Sequence, residues 1–169
     1  MSGHGVRPVV VLLPAAASLI AAPRARACTA FLWRDGAELV VGKSYDWTAG
    51  HGFVFWNPRG LAKEGLPLAP TDRPHRWVAR RASLTFNQHG RELPVSGMNE
   101  SGLVVETLWL NGTVYPAPDG RPTLNELQWV QWVLDSFTSV AELLRAVGSV
   151  RVAPAHARVH YLVCDRTGA

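Results

Sequence analysis

The sequence predicts an α+β fold. Alternating, β-rich runs recur from Cys28 to Leu110, two helical patterns with their own start signals follow between Thr123 and Gly148, and a last alternating run spans Arg158 to Asp165. With 169 residues, 47% of them hydrophobic and seven of them Trp, the chain has the material for one domain with a substantial core, which excludes disorder.

Residues 1–27 read as a secretory signal peptide, and residues 28–169 as the domain proper. After Arg7 comes an apolar run from Val9 to Ala22, too short and too broken by Pro14 and Ser18 for a membrane span. It ends in Ala25-Arg26-Ala27, the small-x-small pattern of a signal-peptidase site. The expected location is therefore secreted or periplasmic, without stable membrane insertion. Cys28 then becomes the first residue of the mature chain. A lipoprotein signal also places Cys directly after the cut, but Ala25 and Arg26 fit its pattern poorly.

The leader holds three Arg and no acid, so the net charge of the remainder falls from +4 to +1. That near-neutral balance gives no basis for binding nucleic acid.

Along the mature chain, Cys28 to Trp33 and Glu38 to Asp46 form a β-hairpin about the turn Asp35-Gly36. A further strand, Phe53 to Asn57, stops at Pro58-Arg59-Gly60. The segment from Ala62 to Pro74 is rich in Pro and charge and reads as a surface loop. Trp77 to Phe86 and Leu103 to Leu110 read as strands, the second introduced by the turn Asn99-Glu100-Ser101-Gly102. Thr123 and Glu126 form a capping box for a helix with Leu127, Val130, Leu134 and Phe137 at helical spacing. Ser139 and Glu142 repeat the device, with Val140, Leu143, Leu144 and Val147 on one face and Gly148 as the stop. Trp129 and Trp132 read as core. The final strand runs into the turn Arg166-Thr167-Gly168 and leaves an edge without a partner, so the chain is expected to be a piece of a longer fold.

An N-terminal cysteine carries its own base. The α-amine, with an ordinary pKa of about 7.7 to 8.0, takes the thiol proton and later returns one to a leaving nitrogen. Such a site also needs an acceptor to orient the amine and a positive charge to favour the thiolate. Asp46 and Lys43 are the candidates, brought beside Cys28 by the hairpin. Strand alternation would set Lys43 and Asp46 on opposite faces, so both reaching the sulfur requires a bulge near Ser44-Tyr45.

Four segments taken in order, Cys28-Thr29-Ala30-Phe31, Gly42-Lys43-Ser44-Tyr45-Asp46-Trp47, Asn57-Pro58-Arg59-Gly60 and Met98-Asn99-Glu100-Ser101-Gly102-Leu103, resemble the choloylglycine hydrolase family. That family comprises bile salt hydrolases, penicillin V acylases and other linear amide C–N hydrolases. The resemblance implies an N-terminal-nucleophile αββα sandwich, here incomplete at the C-terminal end. It implies an exported cysteine amidase whose partner is a small acylated amide, cleaved through a thioester on Cys28.

By the same resemblance Asp46 holds the α-amine, Lys43 stands where the family usually has arginine, and Trp109 supplies a backbone N–H to the oxyanion hole. Trp47 and Trp109 contribute to the acyl pocket. The family's oxyanion-hole asparagine and a further arginine come later than Gly168, so the segment as given is expected to be inactive or nearly so. Asn99 matches a turn, not that asparagine. The family often forms tetramers, which sets a homo-oligomer as the assembly expected.

No cofactor or metal is implied, because the His residues lack ligand spacing backed by Cys or paired carboxylates. The rival readings are a related N-terminal-nucleophile enzyme of the acid-ceramidase or acyltransferase kind, a binding domain in which Cys28 pairs with Cys164, and a lipoprotein anchored through Cys28.

Overall fold

The computed structural model describes residues 28–169; the leader and its cleavage site lie outside the described residues. The mature segment opens as the expected hairpin, β1 (Thr29–Asp35) against β2 (Glu38–Ser44), in unbroken register from Thr29↔Ser44 to Asp35↔Glu38. Gly36 takes φ +56, the left-handed conformation that a tight hairpin turn demands.

A five-stranded antiparallel sheet forms the centre. Its strands are β3 (Phe53–Asn57), β6 (Ser83–Asn87), β7 (Pro94–Asn99), β8 (Val104–Trp109) and β11 (Val159–Cys164), in the spatial order β11-β8-β7-β6-β3. Helix α1 (Glu126–Ser136) packs on one face of this sheet, and every one of its residues is buried. The core gathers Leu103, Val105, Val130, Val133 and Leu134 about it, with Trp129 and Trp132 buried as expected. The last alternating run does form the edge strand β11. Among the described residues its outer side has no strand partner.

Close approach of helix and sheet depends on Gly97. A Cβ there would meet Leu134 Cδ1 at 2.7 Å, Leu84 O at 2.8 Å and Thr85 Cγ2 at 2.9 Å. The opposite sheet face presents Val54, Trp56, Leu84, Phe86 and Met98 outward. At one end of that face the hairpin arrives, where Lys43 meets Glu106. The fold is thus α+β, with a helix layer, a sheet and the start of a further β layer.

Several local expectations change. The N-cap of α1 is Asn125, whose Oδ1 accepts from Leu127 N at 3.0 Å and Gln128 N at 2.7 Å. Thr123 is no cap: its backbone is committed to a short extended pair, β9 (Thr123–Asn125) parallel to β10 (Arg151–Ala153), and to hydrogen bonds with Arg73 and His75. Residues Ala62 to Pro74 are not all loop, for β4 (Ala62–Glu64) pairs with β5 (Arg76–Val78). The expected strand from Trp77 to Phe86 is two strands, because Arg80 N and Arg81 N turn aside to bond Asp135 O at the end of α1. The strand β7 was not expected beyond the turn that closes it.

In α2 (Val140–Ala146) the Ser139 cap holds, accepting from Glu142 N at 3.2 Å. Leu144, placed with the apolar face, is instead exposed. The turn reading of Asn99 holds fully. Its Oδ1 accepts from Ser101 N and Leu103 N, and its Nδ2 donates to Leu134 O and Phe137 O. The same residue therefore shapes the turn and closes the C-terminal end of α1.

Gly97→Ala is expected to lower stability by about 1–3 kcal/mol through overpacking. A urea denaturation midpoint shifted down with an unchanged slope is the result that checks it.

Candidate active site

Cys28 directly precedes β1, and Thr29↔Ser44 is the first rung of the hairpin, so Cys28 stands across from Tyr45 at its open end. It lines a crevice of 70 Å³ with Tyr45, Trp47, Trp109, His89 and His156. Cys164 is buried in β11, and both cysteines are free thiols, so the disulfide pairing of the binding-domain reading is not what the structure holds.

Lys43 and Tyr45 share one side of the chain at the end of β2. The Lys43 ammonium lies 4.9 Å from the centroid of the Tyr45 ring, donates to Val95 O at 3.1 Å and meets Glu106 Oε2 at 3.3 Å. Burial pushes the Lys43 ammonium below its ordinary pKa, while Glu106 and then Cys28 pull it back. The Tyr45 phenol is pushed up, first by burial and then by Cys28. Both groups therefore lie near enough to the Cys28 sulfur to respond to it. Tyr45 donates to Gln88 Oε1 at 2.9 Å and forms a wall between the crevice and a larger cleft of 530 Å³ that runs past Lys43, His51, Phe86 and Glu106. The cleft is the size of small-molecule sites in general.

Asp46 is not brought into the crevice. It is exposed and accepts from Ser44 Oγ at 2.9 Å. The bulge that would have turned both Lys43 and Asp46 toward the sulfur is absent; β2 ends at Ser44 instead, and alternation places only Lys43 and Tyr45 inward. Trp47 and Trp109 do come together, with ring centroids 5.5 Å apart and an interplanar angle of 37°. Trp109 is a partly exposed crevice wall at the end of β8, not a core residue.

Four participants were not read from the sequence. Tyr45 had a signal, since it lies two residues from Lys43 and shares its face. Glu106 had one too, as the lone charge in an apolar strand. His89 and His156 had none, for they come from loops far apart in sequence and stack with centroids 5.9 Å apart. The His156 loop is held by Glu126, whose fully buried carboxylate accepts from Ala155 N, His156 N and Ala157 N at 2.6–2.8 Å. The side chain expected to complete a capping box thus anchors the crevice wall.

Among the described residues no group of three His, Cys, Asp or Glu is placed to hold a metal ion, and no helix is long and apolar enough to cross a membrane.

Known proteins resemble this chain in sequence and in fold. Residues 28–169 match the family model described as linear amide C–N hydrolases, choloylglycine hydrolase family. The penicillin V acylase of Pectobacterium atrosepticum is 25% identical over 153 residues, covering 84% of this chain and 40% of the relative. The solved penicillin V acylase of Agrobacterium tumefaciens superposes with a TM-score of 0.67 at 26% identity, over 83% of this chain and 44% of that one. The conjugated bile acid hydrolase of Clostridium perfringens shares the fold, with a TM-score of 0.64 at 20% identity, over 84% of this chain and 46% of that one. The chain thus spans less than half the length of the relatives it matches.

Two outcomes follow from the site's geometry. Burial, with Asp165 and Glu106 nearby, pushes the Cys164 thiol up, which leaves less thiolate at any given pH. With Ellman's reagent at mild alkaline pH the native protein should yield the Cys28 thiol, and Cys164 only after denaturant is added. Glu126→Gln turns an acceptor-only carboxylate into an amide facing backbone donors, and should cost about 3 kcal/mol or more. Calorimetry checks this as a fall in Tm.

Proposed function

The chain belongs to the choloylglycine hydrolase family of linear amide C–N hydrolases, and we propose that it is the nucleophile-bearing part of an exported cysteine amidase. Cleavage after Ala27 frees the α-amine of Cys28. That amine takes the thiol proton, and the sulfur attacks the carbonyl carbon of a small acylated amide. The C–N bond breaks as the ammonium returns its proton to the leaving nitrogen, and water then cleaves the thioester to release the acid.

The observation that carries this reading is the crevice itself: a free thiol at the start of the mature segment, against two Trp rings 5.5 Å apart. Paired aromatic walls favour a flat, aromatic acyl group over a compact aliphatic one. Among the relatives this suits the activity named for the penicillin V acylases better than that named for the bile acid hydrolase. Lys43 supplies the positive charge beside the thiolate, in place of the arginine usual in the family. Asp46, exposed outside the crevice two residues beyond the end of β2, is assigned to the α-amine by the resemblance alone. The Trp109 backbone N–H is assigned to the oxyanion in the same way. Asn99 is excluded from that task because its amide is fully used on α1 and the turn. Assembly as a homo-oligomer, a tetramer by family resemblance, belongs to the same proposal.

Acylation is the step to test first. N-terminal sequencing of the exported protein should begin at Cys28; a start at any other position removes the α-amine and with it the mechanism. Incubation with an activated phenoxyacetyl ester should leave one acyl group on Cys28, seen by peptide mass spectrometry. Cys28→Ala should abolish it. Trp109→Ala should slow acylation by the aromatic ester about tenfold relative to an acetyl ester, the value of one aromatic contact. Equal slowing of both esters would remove the aromatic-acyl assignment.

A further inference from the structure

The strand β8 carries a single charged side chain, and that side chain is buried. Glu106 is 7% exposed, points to the sheet face away from α1, and pairs in register with Ser96 on β7. Ser96 Oγ donates to its Oε1 at 2.7 Å, and its Oε2 lies 3.3 Å from the Lys43 ammonium, whose side chain is 8% exposed. The ammonium also donates to Val95 O. Lys43 is thus fixed from behind by a carboxylate that is itself aimed by a hydroxyl.

A lysine in this position has a difficulty that an arginine would not. Guanidinium keeps its proton under all ordinary conditions, whereas a buried ammonium readily loses it. Burial does push the Lys43 ammonium down, and Glu106 is the strongest influence that opposes the loss. The other groups facing the pair are Cys28 and Tyr45 on the crevice side, His51 along the cleft, and Cys164 near Glu106. None of these supplies a standing negative charge while Cys28 is a thiol. Without Glu106, the strongest influence that opposes loss of the Lys43 proton is gone.

We propose that Glu106, oriented by Ser96, is a positioning residue for the thiol chemistry: it keeps Lys43 charged and directed toward the Cys28 crevice. This rests on the reading of Cys28 as nucleophile, and it explains why lysine serves where the family usually places arginine.

The test measures the rate of Cys28 alkylation by iodoacetamide against pH in the mature protein, read on the N-terminal peptide by mass spectrometry. Glu106→Gln keeps size and hydrogen-bonding capacity. It should slow alkylation near neutral pH about tenfold and move the half-point of the profile up by about one pH unit, since a tenfold loss of thiolate is one unit. Lys43→Gln should do the same, and the double variant should lose no more than either single one.

The decisive comparison is Glu106→Gln in a Lys43→Arg background. A guanidinium at that position needs no carboxylate to stay charged, so the second substitution should change the rate by less than about twofold. A Glu106→Gln profile that superimposes on the parent's, even with a lower Tm, overturns the proposal and leaves a structural ion pair. An equal loss in the arginine background also overturns it. If sequencing shows that the mature chain starts elsewhere, the amidase mechanism fails, yet the alkylation profiles still decide the role of Glu106.

Discussion

Helix α1 has no face left for solvent, and the arrangement of the chain around it follows from that. Eleven residues are buried, among them Glu126, Gln131 and Asp135, each wholly removed from water. A buried polar group without partners is costly, so surrounding segments must bring donors to it. Asp135 draws in Trp77 Nε1, Gln131 Nε2 and the Lys63 ammonium with its carboxylate, and Arg80 and Arg81 with its carbonyl. Glu126 draws in the three backbone N–H groups of residues 155–157. Asn125 closes the start of the helix and Asn99 its end. The buried polar groups of one helix thereby hold β4, β5, the Arg80-Arg81 connection and the 155–157 loop in place.

Through this the core reaches the chemistry. The segment that Glu126 fixes carries His156 and Ala157, which face Cys28 across the crevice. Further walls come from Tyr45 and Trp47 after the hairpin, from Thr107 and Trp109 of β8, and from His89, Val95, Leu127 and Val159. Cys28 itself rests on a two-stranded ribbon, a weak element alone. The Lys43–Glu106–Ser96 chain of contacts is one of the ties that attach this ribbon to the sheet, beside the hydrogen bonds of Arg34 to Thr167 O and of Tyr45 to Gln88.

Two of the segments that carry the family resemblance prove to be frame rather than chemistry. Arg59 clamps Glu100 through paired hydrogen bonds of 2.7 and 2.6 Å, joining the turn after β3 to the turn after β7. That contact holds the Glu100 carboxyl below its ordinary pKa, with help from Ala82 N. Asn57 binds Ser83 and Thr85 across the neighbouring strand. These two motifs thus tie the sheet together, and Cys28 lies elsewhere.

What could be read along the chain is what depends on near neighbours. The Asp35-Gly36 hairpin, the strand Phe53–Asn57, the Ser139 cap and the Asn99 turn each rest on local alternation or a short-range hydrogen bond, and each stands in the structure. Whatever needed a distant partner was settled only on folding. Thr123 lost the cap to Asn125 because its backbone was already committed to strands; the expected strand from Trp77 to Phe86 broke because α1 needed donors at its end; Asp46 stayed outside because β2 stopped without a bulge. Glu106, His89 and His156 reached the thiol region only through pairings between segments remote in sequence, whereas the hairpin alone brought Tyr45 there. Local pattern fixes conformation, but a site is made of proximity, and proximity here is set by which buried charges and amides had to find one another.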